Sequence, residues 1–151
     1  MPAKHIVKTY VEGGVYHIYN RGVEKRIIFE DEYDYRVFLN CFKESLLPPD
    51  KLKKSKVEFT LRGGTFKGVP KPAKNFFGAI KLLAYCLMPN HFHLLIQQRN
   101  SHAIDAFMRS IATRYSIHFN KRHKRIGPLY QGSYKASLID SDIYLLHVSR
   151  Y

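Results

Sequence analysis

The segment YCLMPNHFHLLI, residues 85–96, narrows the folds open to this chain more than any other stretch. Two apolar runs, AIKLLAYCLM and HFHLLIQQ, are broken by Pro89-Asn90, a turn pair that predicts an antiparallel hairpin at the heart of a sheet. Strand side chains alternate between faces, so His91 and His93 point together while Phe92 points the other way into a core. Two imidazoles side by side can share one metal ion. They can also be hydrogen-bonded members of a sheet face, which is the commoner fate of an isolated His-x-His.

The flanking sequence supplies the rest of a sheet and its cover. VYHIYN (15–20) alternates Val15, His17 and Tyr19 against Tyr16, Ile18 and Asn20, then meets Arg21-Gly22, as a strand running into a turn does. From Asp31 the period changes to 3.6, with Tyr35, Phe38, Leu39, Phe42 and Leu46 on one stripe and Pro48-Pro49 ending it. Ile104, Phe107, Met108, Ile111, Tyr115 and His118 predict a second amphipathic helix, with Arg109, Arg114, Lys121 and Arg122 off the stripe. The basic run 121–139 passes through a Gly-Pro turn into a short strand at 133–138, and Asp140 or Ser141 can cap a third helix over the last residues. Residues of about 47–78, rich in Lys, Gly and Pro, predict a basic surface insertion with a small hairpin around Arg62-Gly63-Gly64. Strand, helix, strand, strand, helix, strand, helix is the order of an α+β domain: an antiparallel sheet of four to five strands with helices packed on it, RRM-like in layout, over residues 1–151.

Charge points to the partner. Lys and Arg number 25 against 12 Asp and Glu, a formal net charge of +13, and phosphate is the natural counterpart of such a field. A soluble basic surface or an acidic membrane would also use the charge, but neither uses the 11 Tyr and 10 Phe as well as unpaired bases do. Cys41 and Cys86 sit in apolar patterns, as thiols of a reducing compartment do. With no signal-peptide pattern in MPAKHIVKTY and no apolar run of membrane-spanning length, the expected address is cytoplasmic.

Taken together, YNRG (19–22), IFEDEYDY (28–35), CLMPNHFHLL (86–95), YQGSYK (130–135) and IDSDIYLLHVSRY (139–151) resemble the single-tyrosine HUH transposases, in particular their REP-associated, IS200-like branch. The resemblance covers nearly the whole chain except 47–78. It implies the HUH endonuclease fold and a metal-dependent strand transferase that cuts and rejoins single-stranded, hairpin-flanked DNA through a 5′-phosphotyrosine intermediate. By the same resemblance His91 and His93 hold a divalent metal, Mg²⁺ or Mn²⁺. Tyr151 is the nucleophile and Lys135 the cation beside it. Spacing alone does not choose among the tyrosines, and Tyr144 reads as a packing residue of the same helix. Relatives complete the metal site with a Gln or Asn four residues after the tyrosine; this sequence stops at Tyr151, which gives the expectation of a chain cut short and only weakly active, with His147 as the one further imidazole on that helix. The residues expected near DNA are Arg21, Arg114, Lys121, Arg122, Lys124, Arg125 and Lys135, with Gln131 from the YQG element and Tyr130 and Tyr134 for stacking. The expected state is a monomer or homodimer. Two readings from other classes compete: a non-catalytic nucleic-acid-binding module, and a metal-dependent nuclease in which water attacks.

Overall fold

The computed structural model describes residues 10–52, 55–148 and 150. Its main sheet has four strands, β1 (Val15–Arg21), β4 (Ile80–Met88), β5 (His91–Gln98) and β6 (Lys135–Leu138), in the spatial order β4-β5-β1-β6 with every pairing antiparallel. The other two strands, β2 (Val57–Leu61) and β3 (Gly64–Gly68), form the separate hairpin. Its two-residue loop, Arg62 at φ 50 and Gly63 at φ 80, takes the doubly left-handed turn that follows the twist of paired strands.

Helices α1 (Glu32–Leu46) and α2 (Ala103–Arg122) cover one face of the sheet. Asp31 caps α1 by accepting the Asp34 amide at 3.1 Å, and the helix ends one residue before Leu47-Pro48. On the sheet side of the core, the alternation of β5 buries Phe92, Leu94, Ile96 and Gln98, while β1 adds Tyr16 and Ile18. Phe38 of α1 meets Phe92 at 5.3 Å and Tyr115 of α2 at 5.0 Å between ring centroids, so strand and both helices share one aromatic centre. Burying each such side chain stabilises by about 1.5–3 kcal/mol.

Two details depart from the alternation read in the sequence. β6 begins at Lys135, two residues later than expected, and just before it the Tyr134 hydroxyl bonds Tyr10 and reaches Asp105 of α2 at 3.4 Å. β4 carries an irregularity between Leu82 and Ala84, which inserts Leu83 and leaves that side chain exposed. The third helix, α3 (Asp142–Val148), is capped by Ser141, whose hydroxyl accepts the Tyr144 amide at 3.2 Å. Its Ile143 and Leu146 are exposed, Tyr144 is half-buried and His147 is exposed. Among the described residues no helix is long and apolar enough to cross a membrane.

Candidate active site

The face of the sheet opposite α1 and α2 carries the polar chemistry. Register brings its residues into rows across the strands. One row runs Cys86, His93, Tyr19, Lys135; the rows beside it hold Met88, His91, Arg21 and Leu95, His17, Ser137. The His91 and His93 rings lie edge to face with centroids 5.1 Å apart. Tyr19 stacks on His17 at 4.9 Å and on His93 at 5.8 Å, and the Lys135 ammonium sits 5.9 Å from the Tyr19 ring centroid. His17, which the sequence reading did not select, joins the site diagonally: its Nε2 lies 2.9 Å from Nδ1 of His93, with the two rings stacked at 5.1 Å.

Both histidines of the pair have a neighbour at Nδ1. The Asn90 side-chain oxygen can only accept, so His91 Nδ1–H donates to it at 2.6 Å, and the Asn90 amide nitrogen, 3.3 Å from the Lys25 carbonyl, fixes which way that amide points. This makes Nε2 the lone-pair nitrogen of His91. Burial lowers the His93 pKa, and the neighbouring His17 and His91 lower it further; burial lowers that of His17 as well. Imidazoles kept neutral at pH 7 are the form that binds metal. As a donor set, His91 and His93 fit two positions of a divalent cation, and among the described residues no group of three His, Cys, Asp or Glu is arranged to hold one.

Two sequence motifs close one end of this face. Gly22 of YNRG leaves no space for a side chain, since a Cβ there would stand 2.3 Å from the Arg26 carbonyl oxygen. Its amide donates to the Asn90 carbonyl at 2.9 Å, and it bridges to Tyr130. Arg21 donates to the Gln131 side chain, the Gln131 amide donates to the Arg21 carbonyl at 3.0 Å, and Asn20 Nδ2 donates to the Gly132 carbonyl at 3.0 Å. YNRG and YQGSYK, far apart in sequence, are therefore one structural unit.

Not every cation read from the sequence stands ready for a phosphate. Arg21, Lys121, Lys124 and Lys135 are exposed. Arg114 pairs with Glu44 and donates to Ser45 Oγ at 3.1 Å and the Cys41 carbonyl at 3.3 Å, tying α2 to α1. Arg122 donates to Asp31 and to the fully buried Asp34 at 2.7 and 2.8 Å. Burial pushes the Asp34 carboxyl up, but the Glu30 amide, Arg122 and His123 together outweigh it and hold the group below the usual carboxylate range. Arg125 donates to Asn120 at 2.7 Å and to the Pro128 carbonyl at 3.2 Å, closing the turn after α2. These three guanidiniums already have partners within the fold, whereas the ammonium groups of Lys121, Lys124 and Lys135 stand exposed. Tyr130 also differs from expectation: it is buried edge-on to Phe92, 6.0 Å between centroids, where no base can stack. Tyr134 is half-buried with its hydroxyl on Tyr10. Tyr151 lies outside the described residues.

The model of the IS200-like transposase family matches residues 73–151, just over half of the chain and the span that includes β4, β5, α2, β6 and α3. Among curated proteins no sequence matches. Two solved structures are similar in fold. A REP-associated tyrosine transposase bound to a REP hairpin aligns with 96% of this chain and 68% of its own, at TM-score 0.56 and 11% identity. A candidate transposase from Deinococcus radiodurans R1 aligns with 100% of this chain and 95% of its own, at TM-score 0.52 and 14% identity.

Proposed function

Because the chain belongs to the IS200-like transposase family, we propose that it cuts and rejoins single-stranded, hairpin-flanked DNA through a 5′-phosphotyrosine intermediate. The observation that carries this reading is the row His93, Tyr19, Lys135 with His91 and Arg21 beside it, on the one sheet face that α1 and α2 leave uncovered. A hairpin is the partner of the fold relative described above, and a net charge of +13 suits the same class of ligand here.

In this reading the phenol oxygen of Tyr151 attacks the scissile phosphorus and loses its proton. The bond from phosphorus to the 3′-oxygen breaks, and that oxygen leaves as a hydroxyl after taking a proton. The 5′-phosphate stays on tyrosine, and the reverse reaction joins a new 3′-hydroxyl. A phenol with an ordinary pKa near ~10 needs a neighbouring cation to react at neutral pH, and Lys135 is the exposed ammonium on this face. His91 and His93 would hold Mg²⁺ or Mn²⁺. That ion, when bound, supplies positive charge against the phosphate. Arg21, Gln131, Lys121 and Lys124 hold the DNA backbone, with Arg21 and Gln131 aligned by their mutual hydrogen bond. The two half-buried or buried thiols, Cys41 and Cys86, are unpaired and suit a reducing, cytoplasmic setting.

The test is a denaturing gel with 5′- and 3′-labelled hairpin DNA. A protein-linked fragment that carries the 3′ label, requires Mg²⁺ or Mn²⁺ and disappears in Tyr151→Phe is the expected result, with the 5′-labelled fragment released free. Free fragments without an adduct would indicate attack by water. Binding without any cleavage would reduce the protein to a DNA-binding module.

A further inference from the structure

We infer that His17 is a positioning residue for His93, accepting the His93 Nδ1 hydrogen so that Nε2 of His93 presents a lone pair to a cation. The inference deepens the function proposed above and rests on its assignment of the cation to His91 and His93. Nothing in the family match selects His17, which lies outside the matched residues 73–151.

One hydrogen lies between His17 Nε2 and His93 Nδ1, 2.9 Å apart. Placed on His17, it leaves His93 with its own hydrogen on Nε2, and that nitrogen is closed to a cation. Placed on His93, it leaves the lone pair on Nε2, and His17 carries its hydrogen on Nδ1. Cation binding therefore selects the second arrangement, and it needs an acceptor at the position His17 occupies. The same pattern already exists at His91, where the Asn90 oxygen admits only the Nδ1–H form. The two ligands are thus held alike, Nδ1 toward a protein acceptor, one from the turn before β5 and the other from the neighbouring strand. Two further features suit His17 to orienting and not to ligating: the nitrogen it turns toward the site is engaged by His93, and its ring is buried beside Tyr19 and His93. Partners in this position typically change metal affinity by about 10–100-fold.

The experiment compares wild type with His17→Phe, which keeps a ring for stacking but has no acceptor, and His17→Gln, whose amide oxygen can accept. Mn²⁺ affinity is titrated by electron paramagnetic resonance at pH 8, above the ordinary imidazole range, with His91→Ala as the reference for a lost ligand. Imidazole nitrogen shifts of the Zn²⁺-loaded wild-type protein, read by NMR, report which nitrogen of His93 carries hydrogen. The expected results are Mn²⁺ binding weakened at least ~10-fold in His17→Phe, binding nearer to wild type in His17→Gln, and hydrogen on Nδ1 of His93. Hydrogen on Nε2 of His93 in the loaded protein overturns the inference. So does wild-type affinity in a folded His17→Phe protein while His91→Ala has lost binding, an outcome that leaves the proposed function standing. Wild-type protein that binds no Mn²⁺ overturns both.

Discussion

The two faces of the β1–β5 pair are made from the same residues of strand taken alternately, and they differ in almost every physical respect. Toward the helices stand Tyr16, Ile18, Phe92, Leu94 and Ile96, all buried in one aromatic and aliphatic core. On the other face stand His17, Tyr19, His91 and His93, polar rings ordered by each other and by Asn90. Apolar area removed from water dominates the first face, and directed hydrogen bonds dominate the second. The difference teaches that adjacent residues, Phe92 and His93, can be separated cleanly in role: one holds the domain together and the other is free to be chosen for chemistry.

The largest effect should come from testing that separation in the fold. Phe92→Ala removes a ring at the meeting point of strand and both helices and should cost about 3–5 kcal/mol in urea unfolding. His93→Ala should stay within about 1 kcal/mol of wild type. Similar losses for the two would erase the distinction between the faces.

A second, smaller effect lies behind the covered face, where Asp34 joins Arg122 and His123 and braces α1 against α2. Asp34→Asn should cost about 2 kcal/mol at pH 7, since it leaves Arg122 and His123 short of a buried charge. The sign with pH follows from the direction of the shift. A carboxyl held below its unfolded value of about 3.9 stabilises the fold above that pH and loses the contribution as pH falls through the native value. Unfolding midpoints of wild type should therefore drop below about pH 4 more steeply than those of Asp34→Asn. Parallel pH profiles would remove Asp34 from the brace.

The smallest effects distinguish the cations of the two sides. Affinity for hairpin DNA should fall at least ~10-fold between about 50 and 200 mM salt. Arg21→Ala, Lys121→Ala and Lys124→Ala should each lower the salt slope by about 1. Arg114→Ala and Arg125→Ala should leave the slope unchanged and lower the unfolding midpoint instead, because those side chains are committed within the fold. A slope that falls for Arg114→Ala would return it to the DNA-binding set.

Much of this contrast was legible in the sequence. A period of two around Phe92 put His91 and His93 on one face, and a period of 3.6 marked α1 and α2 as helices with one apolar stripe each. What escaped was long-range register. His17 was visible as part of an alternating strand, but its meeting with His93, 76 positions away, depends on how β1 slides along β5, and either face of β1 could have met the histidines. Arg122 was read as a DNA cation because a charge off an apolar helical stripe normally meets water. Its true neighbour, Asp34, is 88 positions away and buried, and nothing local to either residue announces the other. Tyr130 was grouped with Gln131 and Tyr134 by motif, whereas the bridge from Gly22 turns its ring inward toward Phe92.

The separation of the faces is tested most directly by one rate, the formation of the covalent protein–DNA adduct by His93→Ala in Mn²⁺, measured at a temperature where its unfolding midpoint matches wild type. The expected outcome is a loss of about 10²-fold or more, as follows when the phosphate is no longer held in attack geometry, with hairpin DNA still bound. Adduct formation at the wild-type rate would contradict the assignment of the chemistry to the uncovered face.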